Sequence, residues 1–214
     1  MRVIHICSAI FTLIFSVNVN AALIERLGGL AFYDDVADLT WLADANYVVA
    51  SGYSATAPMT LDEANTWVGS LSVAGVTGWR LPVIAQPDAS CSIQLGNYYY
   101  GDNCIGGEMG NLFYNTLSNS AGSLTNSGPF SNVYSNYYWS STVRPDSTYQ
   151  MLFNMGNGNQ LSGVVTSTFL TWAVHTGDVS AVPVPAATWL FLSGILCLIG
   201  VAKHKSLKGS DTFN

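Results

Sequence analysis

Two apolar segments lie at opposite ends of the 214-residue chain and limit the part that can fold as a domain in water. The first covers residues 1–21 and the second covers residues 182–205. Segments that direct targeting or processing have to be set aside before a fold is predicted. The remaining body, residues 23–181, has the length of one domain with its own hydrophobic core.

The N-terminal segment has the order of a secretory signal peptide. Arg2 precedes an apolar run from Val3 to Val17, and small residues follow that run. We expect cleavage after Ala21, with the bond after Ala22 as the second choice. An uncleaved N-terminal anchor is the alternative, although the apolar run is short for a bilayer span.

The body is poor in charge, and its balance is acidic. Three arginines stand against twelve Asp and Glu residues. Nucleic acids and other polyanions are bound by clustered Lys and Arg, so neither is an expected partner. The sequence also indicates no cofactor.

Cys91 and Cys104 are the two cysteines of the body, and twelve residues separate them. In the oxidising compartment that export implies, one disulfide closing a short loop is the simplest prediction. A metal site is not expected, because neither cysteine belongs to a close pair and no His is near in sequence.

The first half of the body shows one hairpin pattern and one helix pattern. Alternation of apolar and polar residues predicts two short strands joined at the acidic turn 34–38, with Trp41 in the core. Thr60 is placed as an N-cap with Glu63 three residues later, which forms a capping box. The apolar face of that helix comprises Leu61, Ala64, Trp67, Val68 and Leu71.

The second half combines a short helix with strands. "GEMGNLFYNTL" (107–117) has apolar residues at helical spacing. "YYWSST" (137–142) and "TYQMLFNM" (148–155) are predicted as paired strands, "GNGN" (156–159) as the next turn, and "LTWAVHTGDV" (170–179) as holding the last strand. A single α+β domain is therefore predicted.

Several motifs occur in the order seen in the Lcl C-terminal domain family, named after a bacterial collagen-like adhesin. They are "LTWLADAN", "MTLDEANTWVGSL", "GWRLP", "GEMGNLFYNTL", "GPFSN", "YYWSST" and "WAVHTGD". The body resembles that family over nearly all its length. The resemblance implies a compact domain similar to formylglycine-generating sulfatase-modifying proteins and C-type lectins, with two helices, short antiparallel strands and long loops.

The same resemblance implies a structural signature in which Arg80 and Trp139 connect loops from within. The signature residues are Trp41, Trp79, Arg80, Trp139 and Trp172. Family members usually have Arg where this chain has His175, so a salt bridge made by that Arg would be weaker or pH-dependent here.

The C-terminal segment is similar to the VPLPA variety of PEP-CTERM sorting signal. Its motif consists of Val182, Pro183, Val184, Pro185 and Ala186. An apolar run of about 17 residues follows, close to the minimum for a transmembrane helix, and the basic residues after it predict a cytoplasmic tail at 206–214. The resemblance implies an exosortase-type membrane enzyme as partner, with delivery to the cell surface or extracellular matrix, where exopolysaccharide and biofilm are common. A permanent C-terminal anchor is the alternative.

Enzymatic activity is not expected. A Ser/His/Asp triad would need His175 with Ser140 or Ser141, and neither serine lies in a nucleophile elbow. The cysteines do not match the catalytic motif of the sulfatase-modifying proteins. A carboxylate pair within the acidic segment 34–46, or calcium binding by its aspartates and Asn46, stays open.

Three consecutive tyrosines lie between the two cysteines, and a constrained surface loop cannot bury them all. Exposed aromatic rings beside polar groups suit sugars or protein partners. The candidate ligand-binding surface consists of Tyr98, Tyr99, Tyr100, Asp102 and Asn103. We expect a non-enzymatic surface or matrix protein that binds exopolysaccharide or another surface component. A structural interaction module, or a secreted hydrolase, is the alternative.

Overall fold

The computed structural model describes residues 22–145 and 147–179. The predicted signal peptide, sorting motif and cytoplasmic tail lie outside these ranges. Within them, no helix has both the length and the apolar character that crossing a membrane requires.

The first sheet has four antiparallel strands, which in their order across the sheet are β1 (Leu23–Arg26), β2 (Ala31–Asp34), β3 (Leu39–Leu42) and β9 (Val174–Thr176). The predicted hairpin forms its centre, because β2 and β3 pair across residues 35–38. Strand β1 was not predicted, since the middle of this edge strand is exposed and lacks an alternating pattern.

Both predicted helices are confirmed. Helix α2 (Leu61–Ser70) begins at the capping box, in which Thr60 N donates to Glu63 Oε2 over 2.8 Å. Helix α3 (Glu108–Asn111) continues into a π-helical turn, Leu112–Thr116, and its apolar positions are buried. A further short helix, α1 (Tyr47–Ala50), was not predicted, because one helical turn is too short to show periodicity.

The two remaining sheets lie in the second half of the body. Strands β6 (Tyr137–Val143), β7 (Gln150–Asn154) and β8 (Gln160–Gly163) form an antiparallel sheet in that order. This arrangement confirms the predicted strand pair and the turn at 156–159. Strands β4 (Ile93–Leu95) and β5 (Tyr98–Tyr100) form a separate hairpin between the cysteines.

All five tryptophans of the body are buried. The rings of Trp41 and Trp172 meet edge to face, with centroids 5.2 Å apart. The indole of Trp172 donates to the Leu42 carbonyl, and that of Trp139 donates to the Met59 carbonyl, both over 2.8 Å. A buried indole N–H needs an acceptor, so these bonds fix where the loops around Leu42 and Met59 cross the core.

Arg80 connects three parts of the chain. Its guanidinium forms a bidentate pair with the Glu108 carboxylate, with N–O distances of 2.7 and 2.8 Å. It also donates to Thr176 Oγ1 in β9, while Glu108 accepts from the Val83 amide. This pair therefore joins the "GWRLP" segment, α3 and the last strand. The whole is a mixed α+β domain with few helices and antiparallel sheets, as predicted.

Candidate binding surface

The segment from Cys91 to Cys104, called here the disulfide hairpin, is closed by the predicted bond between those cysteines. Their Cα atoms are 4.2 Å apart. Within it, β4 and β5 pair in the register Ile93 with Tyr100 and Leu95 with Tyr98. The presence of two strands corrects the expectation of a loop. The sequence signal for the first of these strands is the alternation of apolar Ile93 and Leu95 with polar Gln94, directly before Gly96.

Side chains from outside the hairpin hold its second strand. Gln86 binds both backbone groups of Tyr99: its Nε2 donates to the carbonyl over 2.7 Å, and its Oε1 accepts from the amide over 2.9 Å. Gly101 and Gln160 exchange two backbone hydrogen bonds, which attach the hairpin to β8. The hairpin is thus fixed along β5, while β4 lies on its outer side.

The base of the hairpin packs directly on α3. A Cβ atom at Gly110 would overlap the carbonyl oxygen of Cys104, so glycine alone permits this approach. The buried Asp88 carboxylate accepts from the amides of Ser90 and Gly106, which fixes the chain on both sides of the disulfide. The close backbone approach at Gly110 and the hydrogen bonds of Asp88 therefore position the base of the hairpin in addition to the covalent bond.

The three tyrosines differ in exposure. Successive residues of a strand point to opposite faces, so Tyr98 and Tyr100 share one face and Tyr99 points to the other. Tyr98 is 8% exposed and stacks on Tyr100, with centroids 4.5 Å apart and planes 9° apart. The guanidinium carbon of Arg144 lies 4.1 Å from the centre of the Tyr98 ring. Tyr99 and Tyr100 remain partly exposed.

The polar residues of the candidate surface lie at the end of β5. Asp102 is partly exposed and accepts from Asn159 Nδ2 over 3.0 Å. Asn103 is exposed, and its amide donates to the Tyr114 hydroxyl. Burial raises the pKa of Tyr114, which therefore keeps its proton and donates in turn to the Gly158 carbonyl.

The outer strand adds exposed apolar residues that are not among the predicted binding residues. Ile93 is 45% exposed and Leu95 is 63% exposed. Within the part of the chain that the structure describes, β4 pairs with β5 alone. Its other edge therefore presents unpaired backbone groups beside two apolar side chains.

The residues considered for a catalytic triad have other contacts. Ser140 is buried and its Oγ donates to the Met151 carbonyl, while Ser141 Oγ donates to the Pro82 carbonyl. The ring of His175 lies edge to face with Trp79, with centroids 5.7 Å apart. The serine hydroxyls are therefore directed at backbone carbonyls rather than at an imidazole.

The aspartates of segment 34–46 stabilise turns. Asp34 is buried, and its carboxylate accepts from two amides of its own turn and from Thr116 Oγ1. Asp38 accepts from the Tyr33 hydroxyl, a bond that raises the pKa of Tyr33. Asp44 accepts from the Asn46 amide. Each of these contacts is one that acidic residues commonly make in turns.

One close group of potential metal ligands occurs among residues 22–145 and 147–179, namely Asp88, Cys91 and Cys104. Both sulfur atoms belong to the disulfide and are not thiolates. The Asp88 carboxylate already accepts hydrogen bonds from the amides of Ser90 and Gly106. With the disulfide formed, these three residues stabilise the fold and do not form a metal site.

Comparisons with protein families, with curated proteins and with solved structures find no match to this chain. The disulfide hairpin combines fixed backbone geometry with partly exposed aromatic, apolar and polar side chains.

Proposed function

We propose that the chain is an exported, non-enzymatic bacterial protein of the cell surface or extracellular matrix, which binds exopolysaccharide or another surface component through its disulfide hairpin. The observation that carries the proposal is the way in which the hairpin is held. Gln86, Gln160 and the disulfide fix β5, so Tyr99 and Tyr100 are presented with little conformational freedom left to lose.

The chemistry of the hairpin suits a carbohydrate. A sugar ring stacks its C–H face on an aromatic ring, while its hydroxyls bind to oxygen and amide groups nearby. Tyr99 on one face of β5 and Tyr100 on the other, with Asp102 and Asn103 at the end of the strand, offer both kinds of contact within five residues. The resemblance of the motif order to that of the Lcl C-terminal domain family supports a lectin-like fold for the domain that carries this surface.

Delivery by an exosortase-type enzyme is part of the proposal. It is supported by the "VPVPA" motif, the apolar run and the basic residues after it. Proline disfavours helix at its own position and at the residue before it, so the two prolines are the sequence feature that favours a processing signal over a plain anchor. Mass spectrometry of the mature protein tests this step. A surviving peptide from 207–214 on most molecules would show a permanent anchor instead.

Binding is tested by co-sedimentation of the full chain, kept in mild detergent, with exopolysaccharide purified from the producing bacterium. We expect the double variant Tyr99→Ala and Tyr100→Ala to lose most of the retention. Tyr134→Ala is the matched control, because Tyr134 is an exposed tyrosine outside the hairpin. Retention that is equal in the wild type and the double variant would refute the hairpin as the contact surface.

The edge of β4 favours a second candidate, a protein-interaction module. An exposed strand edge beside apolar side chains can accept a strand from another protein. Under this alternative, Leu95→Lys abolishes capture of a surface protein, and the tyrosine variants keep it. Crosslinking on intact cells, with wild type and both variants in parallel, separates the two candidates.

A further inference from the structure

A groove lies between the loop before α2 and the first turn of that helix, and it shares no residue with the disulfide hairpin. Its volume is about 340 Å³, which is at the lower end of the range for ligand sites. The groove, called here the Tyr53 groove, is lined by Tyr53, Ser54, Thr56, Pro58, Met59 and Glu63.

The floor of the Tyr53 groove is attached to the core. Met59 and Phe169 exchange two backbone hydrogen bonds of 3.0 Å. The Met59 carbonyl also accepts the indole N–H of the buried Trp139. Because the floor is held on both sides, a ligand would meet a preformed surface rather than order a loop.

One wall carries a fixed carboxylate. Glu63 Oε2 accepts from the backbone amide and the hydroxyl of Thr60, both over 2.8 Å. The amide bond, followed by the hydroxyl bond, lowers the pKa of Glu63 below its usual range. Within the described residues no protein donor contacts Oε1, so this oxygen can accept hydrogen bonds from a ligand.

The groove also holds an exposed aromatic ring. Tyr53 is 47% exposed, and Ser54 and Thr56 line the same groove. A pyranose needs the same combination, because one of its faces is apolar and its rim consists of hydroxyl donors. The charged residue that lines the groove is a carboxylate, and the domain as a whole has three arginines against twelve acidic residues. This negative charge disfavours the binding of anionic sugars.

We infer that the Tyr53 groove binds one pyranose residue of an uncharged glycan, with the Tyr53 ring against the sugar's C–H face and Glu63 Oε1 accepting from its hydroxyls. The inference takes from the proposed function only the idea that the ligand is a carbohydrate. It adds a second site and excludes acidic polysaccharides as the preferred ligand.

The test is affinity electrophoresis of the full chain in non-ionic detergent, through gels that contain a neutral β-glucan, a galactomannan or polygalacturonate. We expect at least one neutral polysaccharide to retard the wild type, and polygalacturonate to have less effect. Tyr53→Ala should raise the dissociation constant by about tenfold, as expected for the loss of one ring contact. Tyr53→Phe should keep it within about twofold, because the stacking face is retained.

Glu63→Gln tests the carboxylate without removing the helix cap, since Gln also serves in a capping box. We expect binding to weaken by about fivefold, because charge-assisted hydrogen bonds are roughly twice as strong as neutral ones. Tyr134→Ala is the control, since Tyr134 has the same 47% exposure as Tyr53. Unchanged melting temperatures of the variants would show that the fold is intact.

The outcomes separate this inference from the proposed function. Equal retardation of the wild type and Tyr53→Ala would overturn the groove, even if the Tyr99 and Tyr100 double variant lost binding to exopolysaccharide. Failure of every neutral glycan, or stronger retardation by polygalacturonate, would also overturn it. Loss of binding in Tyr53→Ala with full retention in the hairpin double variant would support the groove and refute the hairpin.

Discussion

The tryptophan core and the disulfide hairpin use aromatic residues in opposite ways. In the core, the polar groups of Trp139 and Trp172 bind backbone carbonyls and the rings are fully buried. In the hairpin, Tyr98 is buried, while Tyr99 and Tyr100 remain partly exposed on a strand held by Gln86. Aromatic content alone therefore does not indicate a binding surface, and the exposure left after strand pairing is what distinguishes the two regions.

The two regions also differ in what holds them together. Interdigitated side chains stabilise the core, whereas the hairpin depends on a covalent bond, backbone contacts and the side chains of Gln86 and Gln160. Substitutions in the core should therefore affect the whole domain. For substitutions in the hairpin, the decrease in the free energy of unfolding should be smaller the farther the residue lies from β5.

The largest effect is expected for Trp139→Ala. Removing a buried indole should lower the free energy of unfolding by about 3–5 kcal/mol, and the Met59 carbonyl loses its donor. Urea denaturation followed by tryptophan fluorescence measures the change. Trp139→Phe should cost less, because the ring volume is mostly kept. A cost below 1 kcal/mol for Trp139→Ala would contradict the description of the core.

The double variant Cys91→Ser and Cys104→Ser comes next. The cysteines are 13 positions apart, and removing a bridge over a loop of this length should lower the free energy of unfolding by about 3 kcal/mol. Addition of a reductant to the wild type is the matched control and should give the same shift. If the shift were absent in both, backbone contacts alone would hold the hairpin.

Gln86→Ala should have an intermediate effect. Two hydrogen bonds to the Tyr99 backbone are lost, which we expect to cost about 1–2 kcal/mol. Hydrogen exchange at the Tyr99 amide should accelerate while amides of β7 stay protected. Gln86→Glu is the control, because it keeps the acceptor for the amide and loses the donor to the carbonyl. Equal acceleration throughout the domain would show that hairpin and core unfold together.

The smallest effect is expected for Leu95→Ser on the exposed β4. Surface substitutions of this kind change the free energy of unfolding by about 0.5 kcal/mol or less. The matched variant is Leu152→Ser in β7, where the same residue type is fully buried and the cost should be about 3 kcal/mol or more. Similar costs at both positions would mean that β4 is covered by another surface.

Local signals in the sequence were sufficient for several elements. Helix α2 was predicted to its first residue, because the capping box of Thr60 and Glu63 is complete within four residues. The β6–β7 pair and the helix at 107–117 follow from apolar spacing and turn residues. The disulfide follows from the cysteine count of the body. The sequence also indicates the three candidate tyrosines, but it does not show how exposed each of them is.

Other features depend on contacts between residues distant in the chain. Strand β1 and the one-turn helix α1 lack a periodic pattern, so tertiary neighbours stabilise them. Gln86 holds Tyr99 from 13 positions away, and Met59, which lines the Tyr53 groove, pairs with the distant Phe169. Apolar spacing specifies which residues are buried, because burial within one element is periodic. Exposure at a site depends on which distant segment covers it, and here that is known only once the strands and loops are packed together.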